Sequence, residues 1–136
     1  MRSCLIVANQ TLPGEALAAA IEERLADGPM RAYVVVPLQR VGSRFGSNEA
    51  GTHTAAQGRL DDVLGRLRAL GVDADGEIGD SDPVQAVRDA IRGREVDEVI
   101  VSTLPRGISR WLGEDVPSRM SVAVSVPITV VTQPSE

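Results

Sequence analysis

"VIVSTLPRGISRWLGEDVPSRM", from Val99 to Met120, is the stretch that decides how the chain folds. Val99, Ile100 and Val101 form a β-branched apolar run of the kind that suits a strand buried on both faces. The hydroxyls of Ser102 and Thr103 end it. A polar loop follows with Pro105, Arg106, Ser109, Arg110 and the chain's one tryptophan, Trp111. Pro117 then stands where a helix can start, since its fixed φ and missing N–H cost nothing in a first helical turn. Strand, loop and helix in that order are half of a βα unit. The loop therefore belongs at the carboxyl end of a parallel strand, which is where open parallel sheets bind ligands.

Working outward, the same alternation covers the whole chain. "CLIVAN" (Cys4 to Asn9) reads as a buried strand. Leu12, Ala16, Leu17, Ala20, Ile21 and Leu25 then recur at helical spacing, with Thr11 available as a cap and Gly28 as a stop. "RAYVVVP" (Arg31 to Pro37) is a second buried strand. A polar, glycine-rich loop follows it. A helix starting between Asn48 and Thr54 carries Leu60, Val63, Leu64, Leu67 and Leu70 to a stop at Gly71. "VDADGEIGD" (Val72 to Asp80) is polar for a strand, which puts it at a sheet edge. Asp82, Pro83 and Gln85 form a helix-start signature with a capping box, ahead of an apolar stripe of Val84, Val87 and Ile91. "VDEVIVST" (Val96 to Thr103) is the fourth strand, "DVPSRMSVAV" (Asp115 to Val124) a short helix, and "VPITVVT" (Val126 to Thr132) the fifth strand. Strict alternation predicts an α/β fold: a doubly wound five-stranded parallel sheet with helices on both faces and right-handed crossovers. A length of 136 residues, with no linker or repeat, is expected to make a single domain over 1–136.

Composition narrows the function. Aromatic residues make up 2% of the chain, so the core has to be aliphatic, as suits a parallel sheet covered by helices. The net charge of −5 argues against a nucleic-acid binder, although all 14 basic residues are arginine. The apolar run after Arg2 is too short for a signal peptide, and no stretch could span a membrane. A single cysteine, Cys4, fits a reducing compartment, and a cytoplasmic location is expected.

Several chemistries fail by absence. "ANQTLPG" (Ala8 to Gly14) replaces the G-x-G-x-x-G of a dinucleotide fold. With no lysine there is neither a P-loop nor the lysine of a phospho-accepting receiver, and Asn9 and Gln10 stand in place of that family's acidic pair. G-x-S-x-G is missing. The one histidine, His53, lies in the glycine-rich region and reads as a solvated loop residue. No Cys/His grouping implies a metal, and no catalytic residue is assigned.

From Cys4 to Thr132 the chain resembles the universal stress protein family. The resemblance rests on the element order and on three stretches: "CLIVANQ", "GEIGDSDPVQAVRDAI", and "VDEVIVST…VPSRM…VPITVV". The last is the most specific, being similar to the family's closing C-P-V-L-V-V. The resemblance implies a strand order of 3-2-1-4-5 and a homodimer through the last strand. It implies a nucleotide crevice in which an acid ending the first strand and backbone at the end of the second meet the ligand. Here those positions are Asn9 and about Val36. The family's ATP motif, G-x-x-G, nine residues, then G-[ST], falls on Ser102, Pro105, Asp115 and Val116, and all four depart from it. Pro105 has no N–H to give a phosphate, and Asp115 would repel one.

Anion chemistry nonetheless remains in the loop. Thr103 and Ser109 have hydroxyls, Gly107 can take positive φ, Arg106 and Arg110 can pair with an anion, and Ser118 lies near a helix N-terminus. The candidate ligand-binding set is thus Asn9, Val36, Ser102, Thr103, Arg106, Gly107, Ser109, Arg110 and Ser118. The alternative is a solvated turn in which Thr103 bonds its own loop and Trp111 and Leu112 cap the sheet edge. These readings predict a universal stress protein-like regulatory protein that binds a nucleotide or other small anion, with ATP weak as a cofactor. The alternative is a non-enzymatic dimeric protein-interaction module with a vestigial crevice. A weak ATPase ranks last, because Asn9 stands where a general base is expected.

Overall fold

A computed structural model describes residues 2–9, 15–38, 49–80, 82–103 and 116–132. Its elements run β1 (Arg2–Asn9), α1 (Glu15–Leu25), β2 (Met30–Pro37), α2 (Glu49–Ala69), β3 (Asp73–Gly79), α3 (Pro83–Ile91), β4 (Glu98–Thr103), α4 (Val116–Ala123) and β5 (Ile128–Thr132). All four strand pairings are parallel, in the order β3-β2-β1-β4-β5. The expected fold and order are therefore present, and the polar third strand is at an edge. Boundaries moved by a few residues: β1 starts at Arg2 and β2 at Met30, while β4 and β5 start two residues later than the apolar pattern implied. Thr11 and Leu12 lie outside the described residues.

The central strand explains the architecture. Cys4 to Ala8 are all fully buried, so both faces of β1 must be covered. Ile6, Val34, Ile100 and Val131 face Leu17 and Ile21 of α1 and Leu60, Val63 and Leu67 of α2. Leu5, Val7, Val35 and Val101 face Val84 and Val87 of α3 and Met120 of α4. Both layers are aliphatic, as the composition required.

Local chemistry fixes the helix ends. At the end of α2 the Val72 amide donates to the Leu67 carbonyl (3.0 Å) and the Gly71 amide to the Arg68 carbonyl (3.0 Å). That double bond needs a left-handed residue between helix and strand, and Gly71 supplies it at φ 92°. Asp82 caps α3 as expected, accepting from the Val84 amide at 3.0 Å. The capping box is only half formed, however. Gln85 turns along the helix to Asp89 (2.8 Å), and Asp80 accepts the Asp82 amide (2.9 Å) instead.

β3 lies unusually close to its neighbours. A Cβ on Gly79 would sit 2.6 Å from Val35 Cγ2 and 2.8 Å from Ala86 Cβ. One on Gly76 would meet the Val34 carbonyl oxygen and lie 2.7 Å from Leu60 Cδ1. Glycine here is a packing requirement on both faces of one strand.

At the amino end of the sheet, Arg24 and Glu98 form a two-pronged ion pair: Nε to Oε1 at 2.7 Å and Nη2 to Oε2 at 2.6 Å. Arg24 also donates to the Ala20 carbonyl, and Thr129 Oγ1 donates to Glu98 Oε2 at 2.9 Å. The pair ties α1, β4 and β5 together with side chains only 13% and 14% exposed. The Arg24 bonds hold the Glu98 carboxyl below its ordinary range, against the opposing effect of burial. The thiol of Cys4 lies 3.8 Å from the same carboxylate, and burial, helped by that negative charge, pushes it up to about 11.

Two outcomes follow from this packing. Gly79→Ala is expected to lower stability by about 1–3 kcal/mol through overpacking against Ala86, measured by urea unfolding. Glu98→Gln should cost about 2–3 kcal/mol at neutral pH, because Arg24 is left under-compensated. Since the Glu98 pKa is lower in the folded state, its contribution is present above the ordinary carboxylate range. It is lost as pH falls from about 5 through the folded value. The gap between wild type and Glu98→Gln should therefore narrow in acid; a gap constant from neutral to acid pH would contradict this assignment.

Candidate functional site

The register builds the floor of a crevice at the carboxyl ends of the central strands. Asn9, the last residue of β1, pairs with Thr103, the last of β4, and Ala8 pairs with Ser102. Ser102 pairs on its other side with Val131 and is 1% exposed. It is part of the floor, and a hydroxyl so deeply buried is held by the protein. Val36, near the end of β2, is fully buried and pairs with Ile78, so only its backbone could face a ligand. Ser118 falls in the first turn of α4. Asn9, Val36, Ser102 and Thr103 are thus brought to one end of adjoining strands. Arg106, Gly107, Ser109 and Arg110 lie outside the described residues.

One pair at this end was not singled out from sequence. Arg119, in α4, places Nη2 2.7 Å from Oδ2 of Asp82, while Asp82 Oδ1 caps α3. Both side chains are partly exposed. Partial burial pushes the Asp82 carboxyl up, but the Arg119 guanidinium and the Val84 amide outweigh it and hold the carboxyl below its usual range. Asp82 thereby joins the start of α3 to α4. The available signal was the Asp82 cap itself, a fixed carboxylate at the sheet's carboxyl end. Its partner is 37 residues away and could not be read from spacing.

Three cavities lined by described residues lie at the opposite end of the sheet. One of them, about 670 Å³, is lined by residues that include Arg31, Tyr33, Asp73, Asp75, Arg94 and Asp97. Its groups are engaged with one another. Arg94 stacks over the Tyr33 ring at 3.7 Å, and Tyr33 Oη donates to Glu77 Oε1 at 2.7 Å. Burial, reinforced by that acceptor, pushes the Tyr33 hydroxyl up to about 12. Arg31 is 3.6 Å from Asp73. The groove is open and polar, and Asp73, Asp75, Glu95 and Asp97 outnumber its two arginines, which gives an anion no advantage there. The carboxyl end of the sheet, where β1 ends between its neighbours β2 and β4, is the better candidate. No group of His, Cys, Asp and Glu able to hold a metal occurs among the described residues, and no described helix is long and apolar enough to cross a membrane.

No protein-family profile matches the chain, and no curated protein matches it in sequence. Solved structures do match. A universal stress protein family member from Burkholderia pseudomallei superposes with a TM-score of 0.58 at 15% identity, covering 96% of each chain. A universal stress protein from Archaeoglobus fulgidus, solved in complex with dAMP, gives 0.57 at 15% identity, over 97% of this chain and 100% of that one. A further structure of a universal stress protein from Archaeoglobus fulgidus gives 0.54 at 14% identity, covering 97% and 96%. Superposition at TM-scores above 0.5 with near-complete coverage on both sides leads to one conclusion: this chain, with its sheet order β3-β2-β1-β4-β5, has the fold of the universal stress proteins.

Proposed function

We propose that this is a universal stress protein-like regulatory protein whose carboxyl-end crevice binds a nucleotide or another small anion without the family's usual ATP motif. The carrying observation is the register that sets Asn9 beside Thr103 at the ends of β1 and β4. In support, a protein of the same fold has been solved with dAMP. Thr103 leads in sequence directly into the segment that contains Arg106, Ser109 and Arg110, so those side chains stand three to seven residues beyond the end of β4. Phosphate held there would meet guanidinium groups in place of glycine amides, because Pro105 supplies no N–H and Asp115 adds negative charge. The assignment is to binding, with no catalytic residue. A cytoplasmic setting suits the unpaired, buried Cys4.

A second reading is favoured by the other end of the sheet order. β5 is an edge strand, Val130 is 49% exposed, and Val122 of α4 is 83% exposed. An exposed apolar side chain on an edge strand, here Val130, suits pairing with a second copy of the chain. We propose a homodimer through β5, which serves the ligand-binding protein and the non-enzymatic interaction module equally.

Native mass spectrometry followed by calorimetric titration tests the binding. Titration with ATP and magnesium should give no low-micromolar affinity; a binding energy near −8 kcal/mol would show that the motif departures matter less than argued. For whichever anion co-purifies or binds, Arg106→Ala and Arg110→Ala should each weaken binding about tenfold or more, each charge-assisted bond being worth about 1.5–3 kcal/mol. Arg59→Ala, on α2, is the control. Equal affinity in all three variants would leave the crevice vestigial. Light scattering tests the assembly: wild type should have twice the chain mass, and Val130→Asp should have the mass of one chain. A monomeric wild type at micromolar concentration would remove the dimer.

A further inference from the structure

The two edges of the sheet are finished differently. At the β3 edge the Leu38 amide donates to the Gly79 carbonyl at 3.0 Å. In a strand the N–H and C=O of one residue point the same way and alternate along the chain. Gly79 faces β2, so Ala74, Gly76 and Ile78 direct their backbone groups outward. Two of those outward groups are already taken by side chains. Arg68, from the last turn of α2, donates to the Ala74 carbonyl through Nε (3.2 Å) and Nη2 (2.9 Å). Asp75 Oδ1 accepts the Gly76 amide at 2.8 Å. A neighbouring strand would need the same acceptor and the same donor.

Among the described residues, the far edge lacks these devices. The Val99 amide donates to the Pro127 carbonyl at 2.9 Å, so Ile128 and Val130 direct their backbone groups away from β4. Among the described residues, no side chain bonds to them.

We propose that Arg68 and Asp75 form a cap that closes the β3 edge to a second copy of this chain, confining strand pairing between copies to β5. The part concerning β5 rests on the dimer proposed above; the cap itself does not. Charge strengthens the closure. Asp73, Asp75 and Glu77 alternate along β3 and share one face. A two-fold pair centred on Gly76 would set Asp75 opposite Glu77 of the partner subunit, an unfavourable like-charge contact. Closure matters because a sheet with two open edges, each pairing with its own kind, has no reason to stop adding copies.

The test is light scattering over a concentration series on Arg68→Met/Asp75→Ala, beside wild type and Asp62→Ala/Arg66→Met. The control removes the same two charges from the exposed face of α2 and leaves the cap in place. The uncapped variant is expected to reach at least about twice the wild-type mass, rising with concentration, while the control follows wild type. Hydrogen exchange should show the Gly76 and Ile78 amides protected in the larger species. Adding Val130→Asp should limit the uncapped variant to a dimer. Wild-type mass throughout, with the sheet intact by circular dichroism, overturns the cap. So does a mass increase with Gly76 and Ile78 exchanging freely, since association would then be elsewhere. If the double variant does not fold, Arg68→Met alone should show a weaker rise, and no rise overturns the cap. A monomeric wild type removes the β5 dimer and leaves the cap to be judged on the uncapped variant alone.

Discussion

Five consecutive residues of β1 are sealed from water, and the rest of the molecule is arranged around that requirement. Their side chains alternate between two faces, so a single helical layer could cover only half of them. The chain therefore places α1 and α2 on one side and α3 and α4 on the other. Packing aliphatic layers this closely leaves little tolerance. That is why β3, approached by α2 on one face and α3 on the other, carries glycine at both Gly76 and Gly79. The same compactness explains how so few aromatic residues suffice.

The two ends of the sheet divide the polar chemistry. At the amino end, charged groups are consumed internally: Arg24 by Glu98, Arg94 by the Tyr33 ring, and Arg68 by the Ala74 carbonyl. At the carboxyl end the strands stop in small polar residues, Asn9, Ser102 and Thr103, with the Asp82–Arg119 bridge to one side. Among the described residues, most of the long-range side-chain bonds therefore lie at the amino end of the sheet. The proposed ligand chemistry and the proposed assembly chemistry occupy different parts of the molecule, the first above β1 and β4 and the second along β5.

Much of the fold was legible because it is local. Periodicity placed the described helices, glycine and proline marked their ends, and the polar composition of "VDADGEIGD" put β3 at an edge. The resemblance supplied the strand order, which alternation alone does not specify. Long-range pairing was not legible. Nothing in the spacing joins Arg24 to Glu98, 74 residues on, or Arg119 to Asp82. The capping box failed for a related reason: its motif counts residues, while Gln85 had a competing partner one helical turn away in Asp89 and Asp80 was placed to take the amide. For the site, sequence identified the strand ends that meet, since these follow from topology. The arginine loop remains a reading of the chain's chemistry.

The burial of Cys4 has one further consequence. Its sulfur is enclosed in the central strand, and its pKa is raised to about 11 by burial and by Glu98. Thiolate, the reactive form, is thus scarce and shielded while the sheet is closed. Alkylation of this thiol can proceed only as fast as the amino end of β1 opens. The protein thereby contains, in its central strand, a chemical clock that records how often the start of β1 is exposed to solvent.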